Sequence, residues 1–263
     1  MDNIQVINAL SVVPLRSNPS HSSEMISQVL FGELLEVIEK DKEWLKVKSF
    51  YDDYTGWLDE KQVVYLNENE AKELKASEVW LTKQVHNKAI KESNKSDIYL
   101  PAGARLPFFD AGKFSLASHH YTLENTRGAV EPKSVHFKDE VLALAQQFLN
   151  TPYLWGGRTH FGIDCSGFSQ IVYKILGIQI KRDAWQQAEQ GKLVDFLAEA
   201  QPGDLAFFDN EEGRITHVGI MMNNHQIIHA SGRVKIDEID NQGIFSSDLK
   251  RYSHQLRIIK RYV

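Results

Sequence analysis

The chain has 263 residues, enough for about two domains or for one domain with smaller modules. Apolar residues make up 42% of the chain, so a sizeable core can be buried. The net charge is -5 and both signs are spread along the chain, which argues against the basic stripe of a nucleic-acid-binding protein.

The chain contains one cysteine, Cys165, so it has no internal disulfide framework, and this is compatible with a reducing compartment. The first eight residues include an early acid, no basic segment and no long apolar run, which predicts neither a signal peptide nor a transmembrane segment. We therefore expect a cytoplasmic protein. An exported protein whose leader has been removed is the alternative.

Residues 1–66 are predicted to form a small all-β domain. The predicted strands are 8–16, 25–30, 34–39, 44–48 and 54–58. Short strands separated by turn residues are typical of a small barrel or sandwich. The polar loop, Gly32-Glu33, Trp44-x-x-Val47 and Tyr54-x-Gly56-Trp57-Leu58 follow each other in an order that resembles a bacterial SH3-like domain.

Residues 67–130 begin with a charged stretch at 67–75 that predicts a linker helix. The strands predicted after it are 79–82, 98–100, 105–109 and 113–116, with turns at Pro101-Ala102-Gly103 and Asp110-Ala111-Gly112. Pro101-x-Gly103 before an apolar run parallels Phe31-Gly32 in the first domain. This parallel predicts a second, diverged SH3-like domain.

The pattern changes from residue 131 onward. Helices are predicted at 137–150, 166–176 and 184–190, and strands at 205–208, 217–222, 226–230 and 256–261. Helices followed by a run of antiparallel-type strands indicate an α+β domain over 131–263.

Cys165 stands between a glycine-rich segment and a predicted helix, which places its thiol at a helix N-terminus. The helix dipole and the unpaired N–H groups there favour a thiolate. Asp164 occupies the N-cap position of this helix.

Two histidines are candidates for the base and for the group that orients it. His217 and His229 lie on consecutive predicted strands joined by a tight turn at Asn223-Asn224, so we expect the strands to pair. His217 would then face the thiol while His229 binds its far ring nitrogen, as nucleophilic catalysis requires.

Each of these residues has a structural alternative. A single buried cysteine is more often a small apolar residue, and a lone strand histidine is more often a satisfied polar group. A zinc site at Cys165, His217 and His229 is a further alternative, although the paired spacing of zinc motifs is absent. The remaining histidines considered are expected at the surface: His86, His119, His120, His136, His160, His225 and His254.

Several motifs together resemble the NlpC-type cell-wall endopeptidases, which are bacterial, papain-like cysteine peptidases. The motifs are Tyr153-x-Trp155-Gly156-Gly157, Asp164-Cys165-Ser166-Gly167-Phe168, Arg182-Asp183, Pro202-Gly203-Asp204-Leu205-x-Phe207-Phe208, His217-Val218-Gly219-Ile220 and Ile228-His229-Ala230. Together with two SH3-like domains, they resemble the branch of γ-D-glutamyl-L-diamino-acid endopeptidases. The resemblance implies a papain-like catalytic domain preceded by two small SH3-like barrels.

The resemblance also implies a role for each matched residue. Cys165 would be the nucleophile, His217 the base and His229 the third polar residue of the catalytic set. Residues on the substrate side would be Tyr153, near the oxyanion, together with Trp155, Asp164, Ser166, Arg182 and Asp183. An Asp164 carboxylate suits a substrate ammonium, while Arg182 and Asp183 would meet the diamino-acid end or else form a surface turn. Ala184 stands where some relatives carry serine.

In this branch the first SH3-like domain reads the free amine of the substrate. Glu24 and Tyr54 are the candidates here, with Tyr51 as an alternative to Tyr54. A carboxylate and a phenol together suit an ammonium group. An exposed loop glutamate and a barrel tyrosine without such a role are the structural alternative.

The implied reaction is hydrolysis of the bond between D-glutamate and the diamino acid in murein stem peptides with a free N-terminal L-alanine, as in cell-wall peptide recycling. No cofactor or metal is implied, and no nucleic-acid or membrane partner is expected. The alternatives are a secreted autolysin acting on intact peptidoglycan and a non-catalytic wall-binding protein.

Overall fold

A computed structural model describes residues 4–132 and 135–263 of the chain. These residues form two compact units, one on each side of residues 133–134. Residues 1–3 of the predicted first domain and residues 133–134 of the predicted third domain lie outside the described residues.

The first unit begins with a seven-stranded antiparallel sheet in the order β3-β2-β6-β5-β4-β1-β7. Its strands are β1 (Gln5–Ile7), β2 (Val12–Arg16), β3 (Met25–Leu30), β4 (Leu34–Asp41), β5 (Trp44–Ser49), β6 (Thr55–Asp59) and β7 (Val64–Leu66). Residues 8–11, predicted as strand, precede β2. The other predicted strands of this region correspond to β3, β4, β5 and β6.

Helix α1 (Glu68–Ala76) confirms the predicted linker helix and begins at a capping box. The Asn67 side chain accepts a hydrogen bond from the Glu70 amide, and the Glu70 carboxylate accepts one from the Asn67 amide, both at 2.9 Å. These bonds satisfy two of the amides that a helix start leaves unpaired.

A four-stranded sheet in the order β10-β9-β12-β11 and a two-stranded sheet of β8 and β13 complete the first unit. The strands are β8 (Leu81–Thr82), β9 (Asn87–Lys91), β10 (Ser96–Leu100), β11 (Lys113–Leu116), β12 (His119–Leu123) and β13 (Ala129–Val130). The larger sheets share one apolar core, since Phe31 packs edge-on against Phe114 and Tyr121 at ring distances of 5.8 and 5.5 Å. The division into two separate SH3-like barrels at residue 66 stays a prediction.

The strand predicted at 105–109 is wrong, and the one predicted at 79–82 is reduced to β8. The amides of Arg105 and Leu106 donate to the carbonyls of Phe31 and Trp80, and Pro107 has no amide to donate. Phe108 then adopts a left-handed backbone with a φ of 54°. The apolar run is therefore buried as an irregular segment.

The second unit combines helices with a two-stranded and a seven-stranded sheet. The helices are α2 (Phe137–Gln146), α3 (Cys165–Ile175) and α4 (Ala184–Ala188), followed by a 3-10 turn at Leu197–Glu199. The strands are β14 (Arg158–Thr159), β15 (Gly162–Ile163), β16 (Lys192–Val194), β17 (Leu205–Asp209), β18 (Ile215–Met221), β19 (Gln226–Ser231), β20 (Arg233–Ile239), β21 (Gly243–Ser246) and β22 (Arg251–Arg261).

The large sheet of the second unit closes on itself. Strand β22 pairs with β17 through one half of its length and with β21 through the other, so that β17 to β22 form a ring of six strands. Every pairing in the ring is antiparallel, as the sequence predicts for the 205–208, 217–222, 226–230 and 256–261 strands. The interior is filled by an apolar cluster that includes Phe208, Met221, Ile227 and Ile244.

Helix α3 lies against β18 and β19 and is buried along its whole length. A helix that is buried on every side is typical of the centre of a domain. Its first residue, Cys165, is consequently held in the interior of the second unit rather than on a mobile surface loop. No helix among the described residues has both the length and the apolar character needed to span a lipid bilayer.

Candidate active site

The start of α3 is fixed by the side chain of Asp164, as the sequence predicts for an N-cap. One carboxylate oxygen accepts a hydrogen bond from the Gly167 amide at 2.6 Å, and the other accepts one from the Gly156 amide at 2.8 Å. Gly156 has a φ of 76°, a backbone conformation that side chains disfavour. Asp164 thus joins the glycine-rich loop to the helix that carries Cys165.

The side chain of Cys165, a residue only 6% exposed, lies against strand β18. Its sulfur accepts hydrogen bonds from the backbone amides of Val218 and Ser166, and Val218 directly follows His217 in the chain. Burial and the nearby Asp164 carboxylate raise the pKa of Cys165 to about 12, although the two amides and Arg182 oppose the rise. The resting group is therefore a thiol.

Three side chains form a continuous hydrogen-bonded series that begins at His217, the residue before the Val218 amide. His217 Nε2 lies 2.9 Å from His229 Nδ1, and His229 Nε2 lies 3.1 Å from a carboxylate oxygen of Asp237. The predicted partnership of the two histidines is therefore present. Because Nε2 of His217 is engaged with His229, its Nδ1 is the nitrogen left to act on the thiol.

The pairing of β18 with β19 explains why the two histidines meet. Gly219 lies opposite His229, and His217 is two residues before Gly219, so both imidazoles project from the same face of the sheet. A Cβ atom at Gly219 would lie 2.7 Å from Ile227 Cδ1 and 2.9 Å from His229 Cβ. The missing side chain at Gly219 leaves the space that His229 occupies.

Both imidazoles are neutral at neutral pH. Burial lowers the pKa of His217 well below its usual value, and His254 and His229 lower it further. Burial also lowers the pKa of His229, against the opposing effect of its bond to Asp237. A neutral His217 can accept a proton, which is what a general base must do.

Arg182 and Ser166 form a buried network with Asp164. The Arg182 guanidinium is 1% exposed and donates to both Asp164 oxygens, at 3.0 and 2.6 Å, and to the Ser166 hydroxyl at 2.9 Å. This geometry does not support a direct contact between Arg182 and the diamino-acid end of a substrate, because its donors face the protein interior. It also leaves the Asp164 carboxylate neutralised by Arg182 rather than open to a substrate ammonium.

The other residues predicted on the substrate side are more accessible. Tyr153 is 36% exposed and Trp155 is 60% exposed, both in the loop before β14. Burial raises the pKa of the Tyr153 hydroxyl and the Asp164 carboxylate raises it further, so the hydroxyl is protonated and can donate. Asp183 stands at the N-cap of α4, where its amide donates to the Gln186 side chain at 3.1 Å.

The candidates for amine recognition belong to the first unit. Glu24 is exposed and directly precedes β3, whereas Tyr54 is half-buried and directly precedes β6. Arg16 pairs with Met25 on one side and with Trp57 on the other, so Glu24 and Tyr54 lie toward the same end of these strands. Tyr51, the alternative to Tyr54, lies in the turn before β6. The structure confirms the turn that the sequence predicts there.

Two residues of the site were missed by the sequence analysis. Asp237 binds His229 from strand β20, and His254 stacks on His217 with ring centres 4.0 Å apart and planes at 24°. The expectation that His254 lies at the surface is wrong, because the imidazole packs beside the catalytic pair. Its only sequence signal is position, two residues before Leu256 in the last strand.

The three imidazoles of His217, His229 and His254 place one ring nitrogen each within 4.8 Å of the others. Imidazole nitrogens are good ligands for zinc and copper. Two of these nitrogens, however, already face each other in the bond between His217 and His229. The three imidazoles are therefore better suited to holding and transferring protons than to binding a metal ion.

Comparison with known proteins assigns both parts of the chain. The model of the NlpC/P60 family matches residues 150–252, and the model of the bacterial dipeptidyl-peptidase SH3 domain matches residues 15–63. A crystal structure of an NlpC/P60 family protein from Bacillus cereus superposes with a TM-score of 0.84 at 21% identity, covering 98% of this chain and 99% of the other. The shared fold therefore extends over both units.

Curated relatives carry the assignment further. A γ-D-glutamyl-L-lysine dipeptidyl-peptidase from Bacillus cereus is 28% identical over 233 residues, which cover 80% of this chain and 68% of the relative. The probable endopeptidase NlpC of Escherichia coli is 38% identical over 108 residues, which cover 38% of this chain and 70% of the relative. The region matched by the NlpC/P60 model contains Cys165, His217 and His229. This protein belongs to the NlpC/P60 family of cysteine peptidases and carries a bacterial SH3 domain ahead of its peptidase domain.

Proposed function

We propose that this protein is an endopeptidase that hydrolyses the γ-D-glutamyl-L-diamino-acid bond of murein peptides with a free N-terminal L-alanine. The observation that carries the proposal is the buried Cys165 thiol, whose sulfur meets the Val218 amide directly after a neutral His217 that is bound by His229. The choice of bond is supported by two relatives named as γ-D-glutamyl-L-lysine dipeptidyl-peptidases, which align with 80% and 81% of this chain.

Acylation begins when the Cys165 sulfur attacks the carbonyl carbon of the γ-glutamyl bond. The thiol proton passes to Nδ1 of His217, the carbon–sulfur bond forms, and the carbonyl electrons move to the oxygen. His217 then carries protons on both nitrogens and gives the Nδ1 proton to the leaving amine as the carbon–nitrogen bond breaks. Water, activated by the same nitrogen, hydrolyses the thioester and restores the thiol.

The resting protonation states decide how this step proceeds. Burial raises the pKa of Cys165 and lowers that of His217, so the neutral pair is favoured over a thiolate and an imidazolium. The proton therefore moves as the sulfur attacks, with His217 acting as a general base. The amides of Val218 and Ser166 already point at the sulfur and stabilise negative charge that develops on it.

The oxyanion is stabilised by groups near the start of α3. The N–H groups at a helix start are not used within the helix, and the positive end of the helix dipole lies there. The Tyr153 hydroxyl, which burial keeps protonated, is proposed as a second donor. Donors placed before reaction stabilise the transition state without reorganising.

Amine recognition is assigned to Glu24 and Tyr54 within this proposal. A substrate ammonium is bound well by a carboxylate and a phenol, and capping that amine removes its charge. Selection for a free amine favours small murein fragments over intact wall, in agreement with a role in peptide recycling. A cytoplasmic location belongs to the same proposal and is tested by cell fractionation.

Product analysis tests the proposal directly. The purified protein is incubated with L-Ala-γ-D-Glu-L-Lys, with the diaminopimelate equivalent, and with both peptides acetylated at the alanine amine. We expect L-Ala-γ-D-Glu to be released from a free peptide and turnover of the capped peptides to fall by about 100-fold or more, the effect of an unpaired charge-binding site. Equal rates on capped and free peptides would favour the autolysin alternative.

A further inference from the structure

We infer that Asp237 is a positioning residue of the peptidase, which sets the tautomers of His229 and His217 so that the free lone pair of His217 faces Cys165. This inference rests on the thiol chemistry proposed above and concerns a residue outside the Cys165, His217 and His229 set. It follows from the direction in which each hydrogen bond of the series can run.

The series is anchored by an ionised carboxylate. Burial alone would raise the pKa of Asp237, but hydrogen bonds from His229, from the Ser247 amide and hydroxyl, and from Lys235 hold it well below its usual range. The donor distances are 3.0 and 2.7 Å from Ser247 and 3.1 Å from Lys235 Nζ. An ionised carboxylate accepts hydrogen bonds and donates none.

The direction of the remaining bonds follows from this anchor. His229 Nε2, which is 3.1 Å from Asp237, must carry a hydrogen and donate it. A neutral imidazole has only one N–H, so His229 Nδ1 is an acceptor. His217 Nε2, which is 2.9 Å from that nitrogen, must then carry the hydrogen of its own ring. Nδ1 of His217 is consequently a free base, as proton transfer from Cys165 requires.

The charged and titratable groups around Asp237 come from four elements. Lys235 is on the same strand, β20, and His229 is on β19. His254 approaches from β22, where its lowered pKa, about 4, keeps it neutral at neutral pH. Asp248 follows β21 and binds Lys235 at 3.0 Å, so it touches the charge network without touching the histidines. Asp248 is therefore a matched control for Asp237.

The interior of the six-stranded ring explains why the Asp237 carboxylate can orient His229 effectively. Asp237 has 3% relative exposure and His229 has none, so their interaction is not screened by water. Ile239, two residues after Asp237 and thus on the same face of β20, belongs to the apolar cluster that fills the barrel. The charge of Asp237 is therefore stabilised only by the groups that donate hydrogen bonds to its carboxylate. One of these groups is His229, a member of the catalytic pair.

The Asp237→Asn substitution should reverse the direction of the hydrogen bonds that join residue 237, His229 and His217, because the two carboxylate oxygens of Asp237 have different partners. The Ser247 amide and hydroxyl donate to Oδ1, whereas His229 and Lys235 Nζ lie against Oδ2. Lys235 keeps Asp248 and the Ser246 hydroxyl as acceptors when Oδ2 is replaced, whereas the Ser247 amide lies within reach of Oδ1. A backbone amide can only donate, so the carboxamide oxygen of the new side chain should stay at the Oδ1 position and its NH₂ group should face His229. His229 Nε2 must then accept, which moves the hydrogen of His217 to Nδ1.

The test compares Asp237→Asn with Asp248→Asn, which change the net charge equally. We expect Asp237→Asn to lower kcat by about 100- to 10,000-fold, the range seen when an orienting aspartate is replaced, with KM changed by less than about threefold. Asp248→Asn should keep kcat within about twofold.

Two readouts are independent of the peptide substrate. Nitrogen NMR of labelled histidines should show His217 as the Nε2–H tautomer in the unaltered protein and as the Nδ1–H tautomer in Asp237→Asn. Iodoacetamide should alkylate Cys165 more slowly in Asp237→Asn than in Asp248→Asn. These outcomes would stand even if the proposed peptide were not cleaved.

An Nδ1–H tautomer of His217 in the unaltered protein would overturn the inference without any variant, so a failure of Asp237→Asn to fold leaves it testable. Equal kcat and equal alkylation rates in the two variants would overturn it as well.

Discussion

The functional polar groups of the two compact units differ in their exposure to solvent. In the peptidase unit, Cys165, His217, His229 and Asp237 are all less than 9% exposed, and the bonds that join the last three have one possible direction. In the first unit, Glu24 is exposed and Tyr54 is half-buried at one end of the sheet. In the proposed function, buried groups with hydrogen-bond partners carry out the bond-making chemistry, and more accessible groups recognise the amine.

This difference in exposure predicts which substitutions each unit can tolerate. A buried polar group that loses its partner retains its desolvation penalty, whereas an exposed group regains water. Substitutions in the buried series should therefore affect catalysis or folding severely. Substitutions at Glu24 and Tyr54 should affect substrate binding and leave both folding and chemistry intact.

The largest effect is expected from Cys165→Ala. Without the nucleophile no acyl-enzyme forms, and kcat should fall by about a million-fold, as when a covalent catalyst loses its nucleophile. The fold should persist because alanine is smaller and apolar, which circular dichroism can check. Residual hydrolysis above about one part in a thousand, in protein free of contaminating peptidase, would contradict the assignment of Cys165.

A large loss of stability is expected from Arg182→Ala. The change leaves the Asp164 carboxylate buried without its main partner, which costs about 3–5 kcal/mol for a buried pair. Urea unfolding measures the loss. Lys40→Ala in the first unit is the matched control, because Lys40 and Glu60 form an exposed pair at 2.7 Å and its removal should leave the unfolding midpoint unchanged. Equal effects of the two substitutions would abolish the distinction between buried and exposed pairs.

A moderate effect on binding is expected from Glu24→Gln and Tyr54→Phe. In the proposed function each substitution removes one contact to the substrate ammonium, so KM for the free peptide should rise by about 10-fold while kcat stays within about twofold. Tyr51→Phe serves as the comparison and should change KM little. A fall in kcat without a rise in KM would show that the pair does not bind the amine.

A separate effect concerns stability in mild acid. The pKa of His254 is lowered from 6.5 to about 4, and those of His217 and His229 are lowered as well, so below about pH 6.5 the unfolded chain binds more protons than the folded one. The stability that depends on these neutral imidazoles is complete above pH 6.5 and is lost as the pH falls toward 4.

Urea unfolding between about pH 7.5 and about pH 4.5 should show this decline, and His254→Phe should make it shallower because one imidazole no longer takes up a proton on unfolding. An unchanged slope in His254→Phe would show that the stacked ring is not neutral in the folded protein.

Much of the peptidase unit could be predicted because its local signals agree with its fold. Helix α3 follows from its apolar residues and from the Asp164 cap, and β18 and β19 follow from apolar runs around a tight turn. The partnership of His217 and His229 then required only that neighbouring strands pair.

Strand β20 was missed although its first five residues alternate between polar and apolar side chains. This alternation would direct Lys235 and Asp237 to solvent, whereas both lie on the face that Ile239 turns toward the interior of the ring, which departs from the usual pattern. Such departures concentrate where buried polar groups serve function. His254 was misjudged for the same reason, since its burial depends on the closure of the ring by β21 and β22.

Covalent catalysis by Cys165 can be tested directly by acid quenching and intact-protein mass spectrometry. During turnover of L-Ala-γ-D-Glu-L-Lys, a fraction of the protein should gain the mass of an L-Ala-γ-D-Glu acyl group, and fragmentation should locate it on the peptide that contains Cys165. Product that accumulates with no adduct on Cys165, or an equal adduct in Cys165→Ala, would contradict the account.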